Sequence, residues 1–142
     1  MIPSGIILHN PGDLERDGDT FRYLGEVVPS RHPKLREFLN DTWGLRAILQ
    51  NLLAYIVHDD IGTLGAAIER WAPPGSNDTA AYQAAVCQAC EATNDTAFTV
   101  SWLHANAQKI LDIITTREVG LVYPTAETGA AIDLITWPQE TI

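Results

Sequence analysis

Glu118 stands where a helical pattern ends, between Ile113-Ile114 and Leu121-Val122-Tyr123. A carboxylic acid in that setting can act as a general acid. Apolar neighbours disfavour its charged form, and the carbonyl end of a helix disfavours a negative charge further. Such a group keeps a proton to give away. Acid catalysis usually needs a second polar group, and Asp13, Glu15 and Glu26 are the carboxylates in the turn-rich first forty residues. Spacing singles out none of the three. Asn10, in the turn His9-Asn10-Pro11-Gly12-Asp13, is an amide able to orient a water molecule. Each residue has a plainer reading. Glu118 can be a solvated helix-end charge beside Arg117 or Lys109, and Asn10 can simply brace its own turn.

Other chemistries find less support. Cys87 and Cys90 lie three apart in a helical run, with no neighbouring strand signal and no further ligands, so they read as two small apolar residues. His58-Asp59-Asp60 is the one cluster of metal-ligand types, but adjacent residues on a helix cannot face one point. Neither a Gly-rich phosphate loop nor a nucleophile elbow is present. No metal and no cofactor is expected. The net charge of −9 argues against nonspecific nucleic-acid binding, which needs cations to neutralise phosphates. No apolar run reaches the roughly 20 residues that span a bilayer; Arg46, Gln50 and Asn51 interrupt the longest. The start, Met1-Ile2-Pro3-Ser4, has neither the basic nor the apolar part of a secretory leader. Synthesis as a soluble cytoplasmic protein without a membrane partner is the expectation.

The elements that must carry these residues fall into two regions of one expected domain, 1–142. Residues 1–39 alternate short apolar segments with turns. Asp17-Gly18-Asp19 predicts a hairpin between Leu14 and Phe21-Arg22-Tyr23-Leu24, and Lys34 to Phe38 predicts a short edge strand. Residues 40–134 carry helical spacing. Asn40 or Asp41 can cap a largely apolar helix to about His58, and Thr63 a short one over Leu64 to Trp71. Pro73-Pro74-Gly75 then forces a turn, and helices follow over Thr79 to Glu91 and Ser101 to Arg117. Gly120 suits a left-handed C-terminal cap. A last short helix or turn covers Thr125 to Leu134, and residues 135–142, with Trp137-Pro138, read as an exposed tail. The class is α+β, mostly helical, with a small N-terminal antiparallel hairpin region and four to five helices. Trp43, Trp71, Tyr82 and Trp102, at helical spacing, read more readily as core than as a sugar-stacking groove.

Four blocks in this order carry a resemblance: Gly5 to Leu14 with its Asn-Pro-Gly-Asp turn; Trp43-Gly44-Leu45-Arg46-Ala47-Ile48 with Leu52-Leu53-Ala54-Tyr55; Ile68 to Tyr82, the most specific; and Arg117-Glu118-Val119-Gly120. Together they resemble the small virion structural proteins of tailed bacteriophages and prophages that are grouped with lysozyme-like folds. The likeness runs from about Gly5 to about Asp133. This chain departs from the pattern at Ile7-Leu8-His9, where Arg-Asn-Asn is expected, and at Val119, where Asn is expected.

The resemblance implies a lysozyme-like fold and a place in the virion, after synthesis in the host cytoplasm. It implies other virion proteins as partners, a homo-oligomer, and peptidoglycan as substrate, cleaved by a glycosidase or lytic transglycosylase. On that reading Glu118 is the catalytic acid, and Asn10, Asp13 and Tyr82 bind substrate, with Asn10 orienting a water or an N-acetyl group. The alternative is an inactive structural component of the tail or neck. A weaker third reading is a phage-encoded inhibitor or adaptor acting in the host cytosol.

Overall fold

Helix periodicity after residue 40 governs the architecture. The computed structural model describes residues 1–16, 18 and 20–139. Its elements are α1 (Ser4–Ile7), β1 (Glu26–Val27), β2 (Glu37–Phe38), α2 (Asp41–Val57), α3 (Leu64–Trp71), α4 (Thr79–Cys90), α5 (Val100–Val119) and α6 (Thr125–Asp133). The fold is α+β and mostly helical, with one two-stranded antiparallel sheet among the described residues. Six helices stand where four to five were expected. The addition is α1, a single turn inside the region read as loops and strands.

The helix starts follow from side chains that accept the free N–H groups of a first turn. Asn40 accepts from the Trp43 N–H, Thr63 from Ala66, Asp78 from Ala81 and Thr99 from Trp102. Gly120 ends α5 in the left-handed conformation, φ 73°, that a side chain would strain. Leu45, Ile48, Leu49 and Leu52 of α2 are fully buried. The helix is therefore the centre of the core, packed on α5 and α6 and on β2. Leu64 and Ile68 of α3, Val86 of α4, and Leu103, Ile110, Leu111 and Ile114 of α5 close around it.

Residues 1–39 pair differently from the expected hairpin. Asp17 and Asp19 of its turn lie outside the described residues, and Glu15 bridges Leu35 rather than the Phe21 segment. The stretch from residue 34 to 38 is the common partner. It pairs with 14–16 on one side, through Arg36 N–H to Leu14 O and Arg16 N–H to Lys34 O. It pairs with β1 in the register Glu26↔Phe38 and Val27↔Glu37. The reason is the Arg36 side chain, which is 4% exposed. It donates to Glu15 O (3.0 Å), Phe21 O (3.2 Å) and Glu26 Oε1 (2.7 Å), and so holds three loop segments at once. A local turn signal cannot announce a tie of that range.

Of the expected exposed tail, 140–142 lie outside the described residues, and the part before them docks. Ile135 is buried, the Trp137 indole stacks on His104 with centroids 4.2 Å apart, and its N–H donates to Ile132 O.

Candidate active site

Three of the four sequence blocks meet at the turn 10–13, and glycine is what lets them. A Cβ on Gly12 would lie 2.7 Å from Ile48 Cγ1 of α2 and 3.2 Å from Trp71 Cη2 of α3. A Cβ on Gly44 would collide with the His9 carbonyl oxygen. A Cβ on Gly5 would collide with Asp13 Oδ1 and come within 2.7 Å of Val119 Cγ1 at the end of α5. The turn thus lies directly on α2, and the end of α5 lies against α1. Val119, where the resemblance expects Asn, is buried in that contact.

The turn carries Asp13 to the wall of a cleft of about 930 Å³. Glu118, Trp71, Asn51 and Tyr55 line the same cleft. Asp13 has a left-handed backbone, φ 50°, a conformation in which Asp is tolerated better than most residues. Its carboxyl pKa is pushed up to about 6, first by burial and then by the negative charge of Glu118. Glu118 is half-buried and held by two donors on its Oε2, the Tyr82 hydroxyl at 2.9 Å and the Trp71 indole N–H at 3.3 Å. The same indole N–H reaches Tyr82 Oη at 3.0 Å, closing a triangle between α3, α4 and α5. Arg117 stacks its guanidinium over the Tyr82 ring, 4.8 Å from the centroid. Glu118 Oε1 makes no hydrogen bond among the described residues.

The candidate residues therefore divide. Asp13 and Glu118, distant in sequence, share one cleft. The sequence placed the acid on Glu118, and the structure adds Asp13 beside it as a carboxyl with raised proton affinity. Asn10 does not line the cleft. It is 0% exposed, and its amide is consumed by Leu14 O (3.0 Å), Arg36 O (2.8 Å) and the Leu14 N–H (2.9 Å). Tyr82 does not line it either. It is buried, and its hydroxyl is spent on Glu118 and Trp71; burial and the neighbouring Glu118 carboxylate push the phenol's pKa far upward. Its part is to position Glu118. Of the other carboxylates, Glu15 is exposed on the cleft wall, while Glu26 is sequestered with Arg36. Sequence reasoning missed Trp71 as a partner of Glu118. The Trp-Ala-Pro-Pro block named it but assigned it to the core.

The remaining candidates stay apart from the cleft. Cys87 and Cys90 are free thiols whose pKa values burial raises, the reverse of a reactive thiolate. Asp59 pairs with Arg70 at 3.1 Å. Among the described residues no group of three His, Cys, Asp or Glu side chains could hold a metal ion. No helix among them is long and apolar enough to cross a membrane.

No family model matches this chain, and no curated protein matches it.

Proposed function

We propose that this chain is a lysozyme-like protein of a tailed-phage virion that cleaves the glycan strand of peptidoglycan, with Asp13 and Glu118 as its carboxyl pair. One observation carries the reading: the two carboxyls line one cleft, and the charge of Glu118 helps to keep Asp13 protonated toward pH 6. A protonated carboxyl facing a second carboxyl across one cleft is what glycoside cleavage commonly uses. Asp13 gives its proton to the glycosidic oxygen. Glu118, held by Tyr82 and Trp71, offers Oε1 to the positive charge that develops on the sugar, or to the incoming water.

The test is clearing of purified peptidoglycan by the wild type and by Asp13→Asn and Glu118→Gln, with virions assayed for the protein by mass spectrometry. Clearing by the wild type and a loss of at least about 100-fold in each variant supports the enzyme.

The inactive structural reading has its own support. The triangle of Trp71, Tyr82 and Glu118 ties three helices together, a sufficient reason to keep a carboxylate there. Wild-type protein present in virions but clearing nothing would favour that reading.

A further inference from the structure

One buried cation of this fold has no partner within it. Arg46, on α2, is 9% exposed, and its Nε–H is buried without an acceptor. Among the described residues its guanidinium makes no hydrogen bond and no ion pair. Burial pulls its pKa down, and no carboxylate stands close enough to oppose that shift. Arginine stays charged in proteins all the same. Arg36 gives the contrast. It is buried too, but two carbonyls and the Glu26 carboxylate meet it. A lone charge taken out of water is costly. A guanidinium kept there without an internal acceptor therefore points to an anion supplied from outside the chain.

The setting of Arg46 is apolar. Its guanidinium lies over the ring of Trp43, one turn earlier on α2, 5.9 Å from the centroid. That is cation–π range, and the contact fixes where the fork stands. Trp43 is half-buried and packs on the backbone of Gly25, where any Cβ would collide with the Trp43 ring. Leu24 precedes that glycine, and the Leu39 N–H donates to its carbonyl at 2.9 Å. Leu24 and Leu39 are 62% and 64% exposed, so the surface beside the Trp–Arg pair is leucine rather than charge. None of these four side chains lines the cleft. Asp41, the acid nearest to Arg46 in sequence, is already held by His9 at 2.7 Å. Tryptophan and arginine are the side chains that most often anchor a protein interface, with neighbours that keep water out.

We propose that Trp43 and Arg46, framed by Leu24 and Leu39, form a docking surface for a partner protein segment that carries one carboxylate between apolar residues. The fork takes the carboxylate in a bidentate pair, and the leucines and the indole take the apolar flanks. Charge decides the occupant. A second copy docking through the same patch brings two Arg46 guanidiniums together, and like charges so placed repel. Phosphate recognition gathers a cluster of cations, whereas this patch offers one guanidinium in a leucine frame. The inference stands apart from the glycan-cleaving reading, since neither Asp13 nor Glu118 takes part.

NMR on the isotope-labelled full chain tests it, through the Arg46 Nε–H and Trp43 indole N–H signals. The probe is a blocked tripeptide, acetyl-Leu-Glu-Leu-amide, with its glutamine analogue and inorganic phosphate as controls. The glutamyl peptide is expected to shift both signals to saturation and to bind about fivefold more tightly than the glutamine peptide. Arg46→Met abolishes that preference, read at the Trp43 indole. It also raises the melting temperature by about 2–6 °C, because an apolar chain of similar volume replaces an unpaired buried charge. Leu39→Ser weakens both peptides and keeps the preference. Equal binding of the two peptides, shifts that do not saturate, or phosphate that moves the Arg46 signal at lower concentration than the peptide overturns the docking surface. So does a lower melting temperature in Arg46→Met, which makes the guanidinium a group the fold itself needs.

Discussion

Asp13 sits at a balance of burial and charge, and its behaviour with pH follows. It binds its proton more tightly in the folded chain, at about 6, than in the unfolded one, near 3.8. This group therefore favours the folded state fully below pH 3.8, and the contribution is lost as pH rises toward 6. Asp13→Asn should stabilise the protein at pH 7 by about 1–2 kcal/mol after allowance for solvent screening. The gain should shrink as pH falls to 4, as read in urea titrations at several pH values. Activity that needs the Asp13 proton should decline above about pH 6. In Glu118→Gln the smaller of the two causes is gone, so the Asp13 midpoint should move down only part of the way, as carbon-detected NMR titration would show. Asn10 belongs at this scale as well. Asn10→Ala would strip partners from the Leu14 N–H and from the Leu14 and Arg36 carbonyls, at a cost of about 2–4 kcal/mol in chemical denaturation. Its type and turn were visible in the sequence. That its amide faces inward was not, because the Arg36 carbonyl it meets lies 26 residues away.

At the scale of elements, the site depends on close approaches more than on the helices that carry it. Turn 10–13 lies on α2 because Gly44 leaves room for the His9 carbonyl. Gly44→Ala gains helix propensity of up to about 1 kcal/mol but forces the turn away. A net loss of about 1–3 kcal/mol is expected, with Trp71 fluorescence reporting the displaced cleft wall. The helices themselves were legible. Asn40, Thr63 and Gly120 mark their ends by chemistry that acts within a few residues, and the apolar spacing of α2 and α5 sets their buried faces. The strands were less so. Lys34 to Phe38 was readable as a short strand, but the edge position was not its place: it pairs with 14–16 and with β1, and Arg36 reaches Glu15 and Glu26, 21 and 10 residues away.

Across the whole molecule, a net charge of −9 accompanies a cleft proposed to meet an anionic wall polymer. Repulsion of that kind is screened over roughly 10 Å at 0.1 M salt. Clearing of peptidoglycan should therefore speed up by about two- to fivefold between 0.01 and 0.1 M salt, through faster encounter, with little change in the maximal rate. The sequence by itself determined the composition of this molecule: an acidic, mostly helical chain, its caps, its breaks, and a set of blocks that includes every residue of the carboxyl pair. Local free energies decide those things, and they are written within a turn or two of the backbone. Only the tertiary structure brought Asp13 and Glu118 into one cleft. Asp13 owes its raised affinity to burial and to a charge 105 positions further along the chain. It also withdrew Asn10 and Tyr82 from the surface and set Trp71 against Glu118. Burial and Coulomb interactions act through space between segments that the sequence keeps apart, so they exist only once the chain has packed.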